Sequence, residues 1–527
     1  MKFHLTCPAA LPIKQSFAFA CMLFVMSPLT ITAACADPPP HPAGVASPHE
    51  EWSGLYLGGR KVGYGNTTIT PITYDGKPAL RETSHSIQKI LLLGVSMQEE
   101  ENSVTITDLK SQPILETIDV NSNGSTMHVK AEYDYAAHKI HVTLGEGTDA
   151  TTKTIDIPPG ANLAGDIDFA TTGRKLMVGD KFDIYALEPT RIVLEPIHIE
   201  ITGRQEIPDE SGTKVPVFVV HESMSIGDST EWIDSNGDSI KGVMDLGPLQ
   251  IIMTAETKKH ALDMHFISPT VSASGAPAYK PDVDLAVVTS VSVNKTIEDP
   301  RKLTTLHAVM SGIPDRRLVI SDSHQKETIV GADTPPLSVD LVINSSTPTN
   351  TLKLPILDPA AAVYLKRESY LNTEDENLRK TAMHLRGSET DAFKIALAIR
   401  DWVHQNMTPD ASIGVPRSAS DVFNKRRGVC RDYATLYAAL ARIAGVPTRL
   451  CAGVVYGDFD GHAAFFYHAW AESYVAPGQW VAVDPTLYDP SLGIDYVDAT
   501  HIKFAQGDVT EMYDATTIVG KLKITIL

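Results

Sequence analysis

Cysteine is scarce in this chain: five occur in 527 residues. Cys7 and Cys21 fall in an apolar leader and Cys35 at its edge, so a processed chain retains Cys430 and Cys451 alone. That excludes a disulfide framework as the source of stability, and each remaining thiol needs its own explanation. Positive charge is also short. Lys and Arg number 45 against 64 Asp and Glu, a formal net charge of −19, and no basic tract interrupts the balance. Nucleic acid and anionic membrane surfaces are thereby disfavoured as partners. Beyond the leader, no apolar run is long enough to cross a bilayer. Paired ligand spacings such as C-x-x-C or H-x-x-x-H are lacking, which argues against a zinc centre. A calcium loop is lacking too: in Asp234-Ser235-Asn236-Gly237-Asp238 the glycine is misplaced and no distal Glu follows, so the segment reads as a hairpin turn. Neither a metal nor a cofactor is expected.

What is present begins with an export signal over residues 1–36. Lys2 and Lys14 give a weakly basic start, Phe17 to Met26 is apolar but too short to span, and Ala34 and Ala36 satisfy a small-x-small cleavage rule. A lipoprotein would carry its lipid on Cys35, but Thr32 stands where an aliphatic residue is usual. The expectation is a soluble exported protein, periplasmic in location, with no transmembrane segment after processing.

Composition divides the remainder. Residues 37–51 form a Pro-rich linker, and 52–267 a β-rich domain with hairpin turns at Gly58-Gly59, Asp75-Gly76, Asn123-Gly124 and Asn236-Gly237. A second linker, 268–282, contains Pro269, Gly275, Pro277 and Pro281. A smaller β-rich domain, 283–357, has strands over Ala286–Val291 and Leu337–Ile343, with Leu337, Val339, Leu341 and Ile343 on one face. Helical character starts near Asn372. Ser388 to Asp391 supply caps, and Ile395, Ile399, Trp402 and Val403 form an apolar stripe. Ser418 or Ser420 caps a short helix over Asp421–Lys425. Residues 358–507 thus form an α+β domain, followed by an extension over 508–527.

The chemistry lies in this α+β domain. Tyr433, Ala434, Tyr437, Leu440, Ala441 and Ala444 recur at helical spacing, so Cys430 to Ala444 reads as an amphipathic helix stopped by Gly445-Val446-Pro447. Gly428 permits a tight turn before it. Cys430 then sits in the first helical turn, where unpaired N–H groups and the helix dipole favour a thiolate and could bind an oxyanion. Phe465–Val475 and Trp480–Asp484 read as strands joined by a short turn at Ala476-Pro477-Gly478-Gln479. If Tyr474 pairs with Trp480, then His468 and Asp484 are diagonal neighbours on one face, roughly 7–8 Å apart at the backbone; a one-residue slip would put them on opposite faces. Cys430, His468 and Asp484 are therefore the candidate nucleophile, base and orienting acid. Alternatives remain open at this level. Cys430 could be a packed small side chain, could bridge to Cys451, or could join His462, His468 and Asp484 around zinc. Glu472 reads as a solvated or structural acid, Cys451 as a packed thiol and His462 as a loop residue.

At Arg427-Gly428-Val429-Cys430-Arg431-Asp432-Tyr433-Ala434, Gly445-Val446-Pro447-Thr448-Arg449, His468-Ala469-Trp470-Ala471-Glu472 and Asp484-Pro485-Thr486, the chain resembles the bacterial branch of the transglutaminase-like superfamily of papain-type cysteine enzymes. The resemblance covers about Ala392 to Pro490. It implies a papain/transglutaminase-like catalytic domain with Cys430 as nucleophile, His468 as base and Asp484 as its partner. It also implies a protein or peptide substrate whose amide bonds pass through a Cys thioester to hydrolysis or transamidation. The region from Trp52 resembles the front domain often attached to such proteins. Arg431 stands where the animal cross-linking enzymes have Trp and no calcium loop is evident, so neither their calcium dependence nor their protein cross-linking carries over. A second class of reading keeps the scaffold without catalysis, as an envelope protein- or peptide-binding module.

Overall fold

The computed structural model describes residues 49–527 except 110–111, 148–149, 164–175, 226, 236–237, 247–248, 273–283 and 460. The expected leader, most of both linkers and the Asn236-Gly237 turn lie outside the described residues.

The N-terminal half is one antiparallel sheet of fourteen strands. Two meanders share it. The first eight strands run outward from His49–Leu57 to Thr151–Asp156, and the next six return from Lys181–Glu188 to Leu249–Ala255, which closes on the first strand through Ser53↔Ala255 to Leu57↔Ile251. The turns at Gly58-Gly59, Asp75-Gly76 and Asn123-Gly124 fall between strands as their sequences require. Pro269–Ser272, read as linker, is instead a helical turn whose Val271 packs on Tyr56 and Ile252.

A second sheet has the order Gln325–Ile329 (β2), Leu337–Asn344 (β3), Thr305–Ile313 (β1) and the C-terminal strand Lys523–Ile526. The extension thus completes the smaller β region rather than trailing from the core. Leu337, Val339, Leu341 and Ile343 are all buried, as their alternation requires. The expected strand over Ala286–Val291 is not formed. Asp284 caps a short helix, Leu285–Thr289, and only Val291–Ser292 pairs in a sheet. An apolar β-branched run of this length fits either state, and here the Asp cap decides for the helix.

The α+β region contains Glu376–Arg386 (α1), Ala392–Asn406 (α2), Ala419–Lys425 (α3) and Cys430–Ile443 (α4). Its sheet is built on Thr448–Phe459 (β4), His462–Ala476 (β5), Gln479–Val483 (β6) and Ile502–Gly507 (β7), in the order Val291–Ser292, β5, β4, β7, with β6 also on β5. Asp391 caps α2 and Ser418 caps α3. α4 departs from the amphipathic reading: every residue from Cys430 to Arg442 is buried. Helices α1 to α3 and strands β4 and β5 all pack against it. Several of its polar side chains bond to main-chain oxygens inside the protein. Arg442 donates to Thr448 O and Lys366 O, and Thr435 Oγ1 to Arg431 O.

Candidate active site

The first turn of α4 is set by the residues around Cys430. Gly428 lies where a Cβ would fall onto the Asp432 carboxylate and the Arg417 guanidinium, so only glycine fits. Asp432 Oδ2 accepts from Val429 N at 2.9 Å and pairs with Arg417 at 3.0 Å, closing the helix start. Arg431 touches this pair only through Nε, 3.9 Å from Asp432 Oδ1. Its Nη1 donates to Gly414 O at 2.9 Å and to the Tyr513 hydroxyl at 3.0 Å, and its Nη2 to Val415 O at 2.6 Å. The same 412–414 segment is held from the front sheet. Ser122 Oγ accepts from Gly414 N at 2.8 Å and Asn123 Nδ2 donates to Ser412 O at 2.8 Å. The N-terminal sheet therefore seats on the loop that braces the residue next to Cys430. Cys430 itself is 0 % exposed.

β5 and β6 pair in the expected register, Tyr474↔Trp480 through Ala471↔Val483. That register carries His468 and Asp484 to the same face, with His468 Nε2 2.9 Å from Asp484 Oδ2. Asp484 Oδ1 accepts from Thr486 N at 2.8 Å and Leu487 N at 3.3 Å, which fixes the carboxylate against its own turn. Nε2 is thus the ring nitrogen directed at the acid. Trp470 lies almost parallel to the His468 ring, 16° apart at 6.2 Å between centroids.

A residue without signal in the sequence completes this group. His501, one position before β7, points Nε2 at the same Asp484 Oδ2, 3.2 Å away, and Nδ1 at Asp498 Oδ2, 3.4 Å away. Asp498 is paired in turn with Arg301 at 2.8 Å. Burial alone would lower the His501 pKa, but Asp498 and Asp484 outweigh it and hold the ring above the ordinary histidine value. For His468 the balance is opposite: burial lowers its pKa more than Asp484 raises it, and the neighbouring His501 lowers it further. Burial pushes Asp484 up, yet the two imidazoles hold it well below the usual carboxylate range.

Of the four groups weighed as a zinc set, His468 and Asp484 lie together in a cluster of possible ligand atoms among the described residues. His462 opens β5, not a loop, and its Nε2 lies 2.9 Å from Ser290 Oγ. The groups that do offer ligand atoms together are His468, Asp484 and His501, all within 4.8 Å of one another. Cys451 is a free thiol buried on β4 with Trp470 and Ala482, and Cys430 is likewise unbridged. Glu472 is buried, not solvated, in ion pairs with Lys503 and Arg449. A small open cleft reaches Asp484 and His501 from the side of Arg301, Arg400 and Tyr488.

Comparison with known proteins agrees with this division. Residues 379–485 match the transglutaminase-like superfamily, and residues 54–246 match a protein family of unknown function, DUF3108. A protein-glutamine gamma-glutamyltransferase of Pseudomonas aeruginosa is 34% identical over 71 residues, 12% of this chain and 11% of the relative. The chain thus spans about a tenth of that relative's length. A solved structure from Cytophaga hutchinsonii, titled as a candidate cysteine protease, is 20% identical, covering 42% of this chain and 82% of that one with a TM-score of 0.29. A β-barrel-like DUF1849 protein from Brucella abortus is 12% identical, covering 40% and 95% with a TM-score of 0.30.

Proposed function

Starting from a chain whose C-terminal part is a transglutaminase-like core domain, we propose that it is an exported, periplasmic cysteine enzyme that opens amide bonds of a protein or peptide substrate through a Cys430 thioester. The observation that carries this reading is the His468–Asp484 hydrogen bond of 2.9 Å, on a carboxylate fixed by two backbone N–H groups. Such a carboxylate holds one imidazole tautomer and leaves the other nitrogen basic. His468 Nδ1 takes the proton from Cys430 Sγ as sulfur bonds to the amide carbon. The tetrahedral oxyanion meets the N–H groups of the first turn of α4. On collapse the C–N bond breaks, His468 gives its proton to the departing nitrogen, and ammonia or an amine leaves. Water or a second amine, deprotonated by His468, then attacks the thioester and releases Cys430. Water yields hydrolysis and an amine yields transamidation; hydrolysis is favoured because no acceptor-lysine site is assigned.

Alkylation of the full mature chain with iodoacetamide tests this, read by intact mass and peptide mapping. Cys451 is as buried as Cys430 and serves as the internal standard. Expected is labelling at Cys430 near neutral pH, abolished in Cys430→Ser and at least tenfold slower in His468→Ala. Glutaminyl peptides, with and without added amine, then separate the two outcomes. Equal inertness of both thiols, or His468-independent labelling, would leave a non-catalytic binding scaffold.

A further inference from the structure

Asp484 serves two imidazoles, and the reaction above uses only one. His501 is buried, lies T-shaped to His468 with centroids 5.7 Å apart, and is held edge-on by Trp470 at 5.3 Å. Its Nε2 faces the Asp484 carboxylate, and its Nδ1 faces two acceptors of Asp498, the main-chain O at 3.3 Å and Oδ2 at 3.4 Å. A neutral imidazole can donate from only one nitrogen; satisfying both acids requires both protons. Asp498 is positioned for this role, since its Oδ1 accepts from Thr500 N at 2.9 Å and its Oδ2 from Arg301 at 2.8 Å.

We propose that His501 is a positioning residue of the site: a charged imidazole that shares Asp484 Oδ2 with His468, locks the carboxylate, and keeps the base beside it neutral. The inference rests on the reading of His468 as the base. Two donors on one oxygen leave it little freedom to rotate away from His468. The fixed positive charge opposes a second one on His468, so the base stays unprotonated at neutral pH until it receives the Cys430 proton. The charged and titratable groups facing His501 are Asp484 from the end of β6, His468 from β5, Asp498 from its own turn, Arg301 from the segment before β1, and His324 from the turn before β2. The cleft at Asp484 and His501 gives the pair a route for proton exchange with solvent.

The test is the titration of His468 in the ¹³C-histidine-labelled full chain, in a Cys430→Ser background so that the Cys430 thiol does not titrate with it. The signal is assigned by its loss in His468→Gln. Glutamine at 501 can still donate to Asp484 but carries no charge. Expected is an upward shift of the His468 midpoint by roughly one pH unit in His501→Gln, the size of effect a like charge at this range exerts. A smaller shift in the same direction is expected in Asp498→Asn, which keeps the His501–Asp484 bond but removes the anion that holds His501 charged; this variant also stands in if His501→Gln does not fold. An unmoved midpoint in both, with thermal unfolding unchanged, overturns the role of His501. The alkylation of wild-type Cys430 is measured alongside. If it shows no dependence on His468, the enzyme reading itself falls; if it does, an unmoved midpoint removes the positioning role alone.

Discussion

Lys503 is the most informative single residue to perturb outside the candidate site. It is 1 % exposed, between the sheet of the α+β region and the turn before β2, and its Nζ lies 2.6 Å from both Glu472 Oε1 and Asp322 Oδ2. Arg449 binds the other Glu472 oxygen through Nε at 2.9 Å and Nη2 at 2.7 Å, but stands 3.9 Å from Asp322. Two cations and two anions cancel. Lys503→Met keeps the aliphatic stem and removes one cation, leaving Glu472 half-satisfied and Asp322 with two backbone N–H donors but only the distant Arg449 as a cation. Breaking one member out of a buried pair costs about 3–5 kcal/mol, because the remaining charge stays desolvated. The pH dependence follows from the shifts. Burial opposes ionisation of both carboxyls, but Lys503 and Arg449 hold Glu472 below its ordinary value, and Lys503 and local hydrogen bonds hold Asp322 at about 2. A depressed carboxyl stabilises the fold above its unfolded pKa, and that contribution is lost as pH falls through the folded value. The wild-type cluster therefore survives mild acid. In the variant the carboxyls lose their depression and take up protons there, so the penalty shrinks. Urea unfolding followed by tryptophan fluorescence, at pH 7.5 and pH 4.5, reads both effects; Trp480 reports locally, since Arg449 lies 4.3 Å from its ring centre. A double variant with Glu472→Gln should recover part of the loss. A loss below about 1 kcal/mol at pH 7.5, or one that grows on acidification, would refute the assignment of Lys503 as the buried counter-ion.

Two further outcomes are expected. Burial, with help from Glu99 and Glu116, raises the Glu101 carboxyl from 4.5 to about 8. A raised carboxyl favours the fold at low pH, and this contribution is lost as pH climbs from the unfolded to the folded value. Glu101→Gln should therefore stabilise the N-terminal sheet at pH 8.5 by on the order of a few kcal/mol and be nearly neutral at pH 4, measured by paired denaturation curves. Gly428→Ala drives a methyl onto Asp432 and Arg417; a loss of about 2 kcal/mol or more and a slowed Cys430 alkylation should follow, whereas wild-type values for both would show that this turn adapts without cost.

Sequence alone reached the elements whose causes are local. Gly58-Gly59, Asp75-Gly76 and Asn123-Gly124 adopt the positive-φ turns their residues favour, and Asp391 and Ser418 cap the helices they precede. The Tyr474↔Trp480 pairing is expected from the sequence, but the short turn alone pairs Ala476 with Gln479, and a bulge between Tyr474 and Ala476 then sets the β5–β6 register. That register, by itself, brought His468 to Asp484 across sixteen residues. Where local forces balance, tertiary structure decided. Leu285–Thr289 is apolar and β-branched, yet Asp284 both caps it and accepts from Gly94 N of the N-terminal sheet, and the helix wins. α4 carries an apolar stripe legible as one buried face, but three helices and two strands cover it on all sides. His501 and Lys503 bore no signal because Asp484, Glu472 and Asp322 reach them from other strands and turns: β7 pairs with β4, 50 or so positions earlier, and Asp322 comes from the turn that leads into the second sheet. Which charges share a buried site depends on chain crossings that no local pattern records, and burial then sets what those charges do.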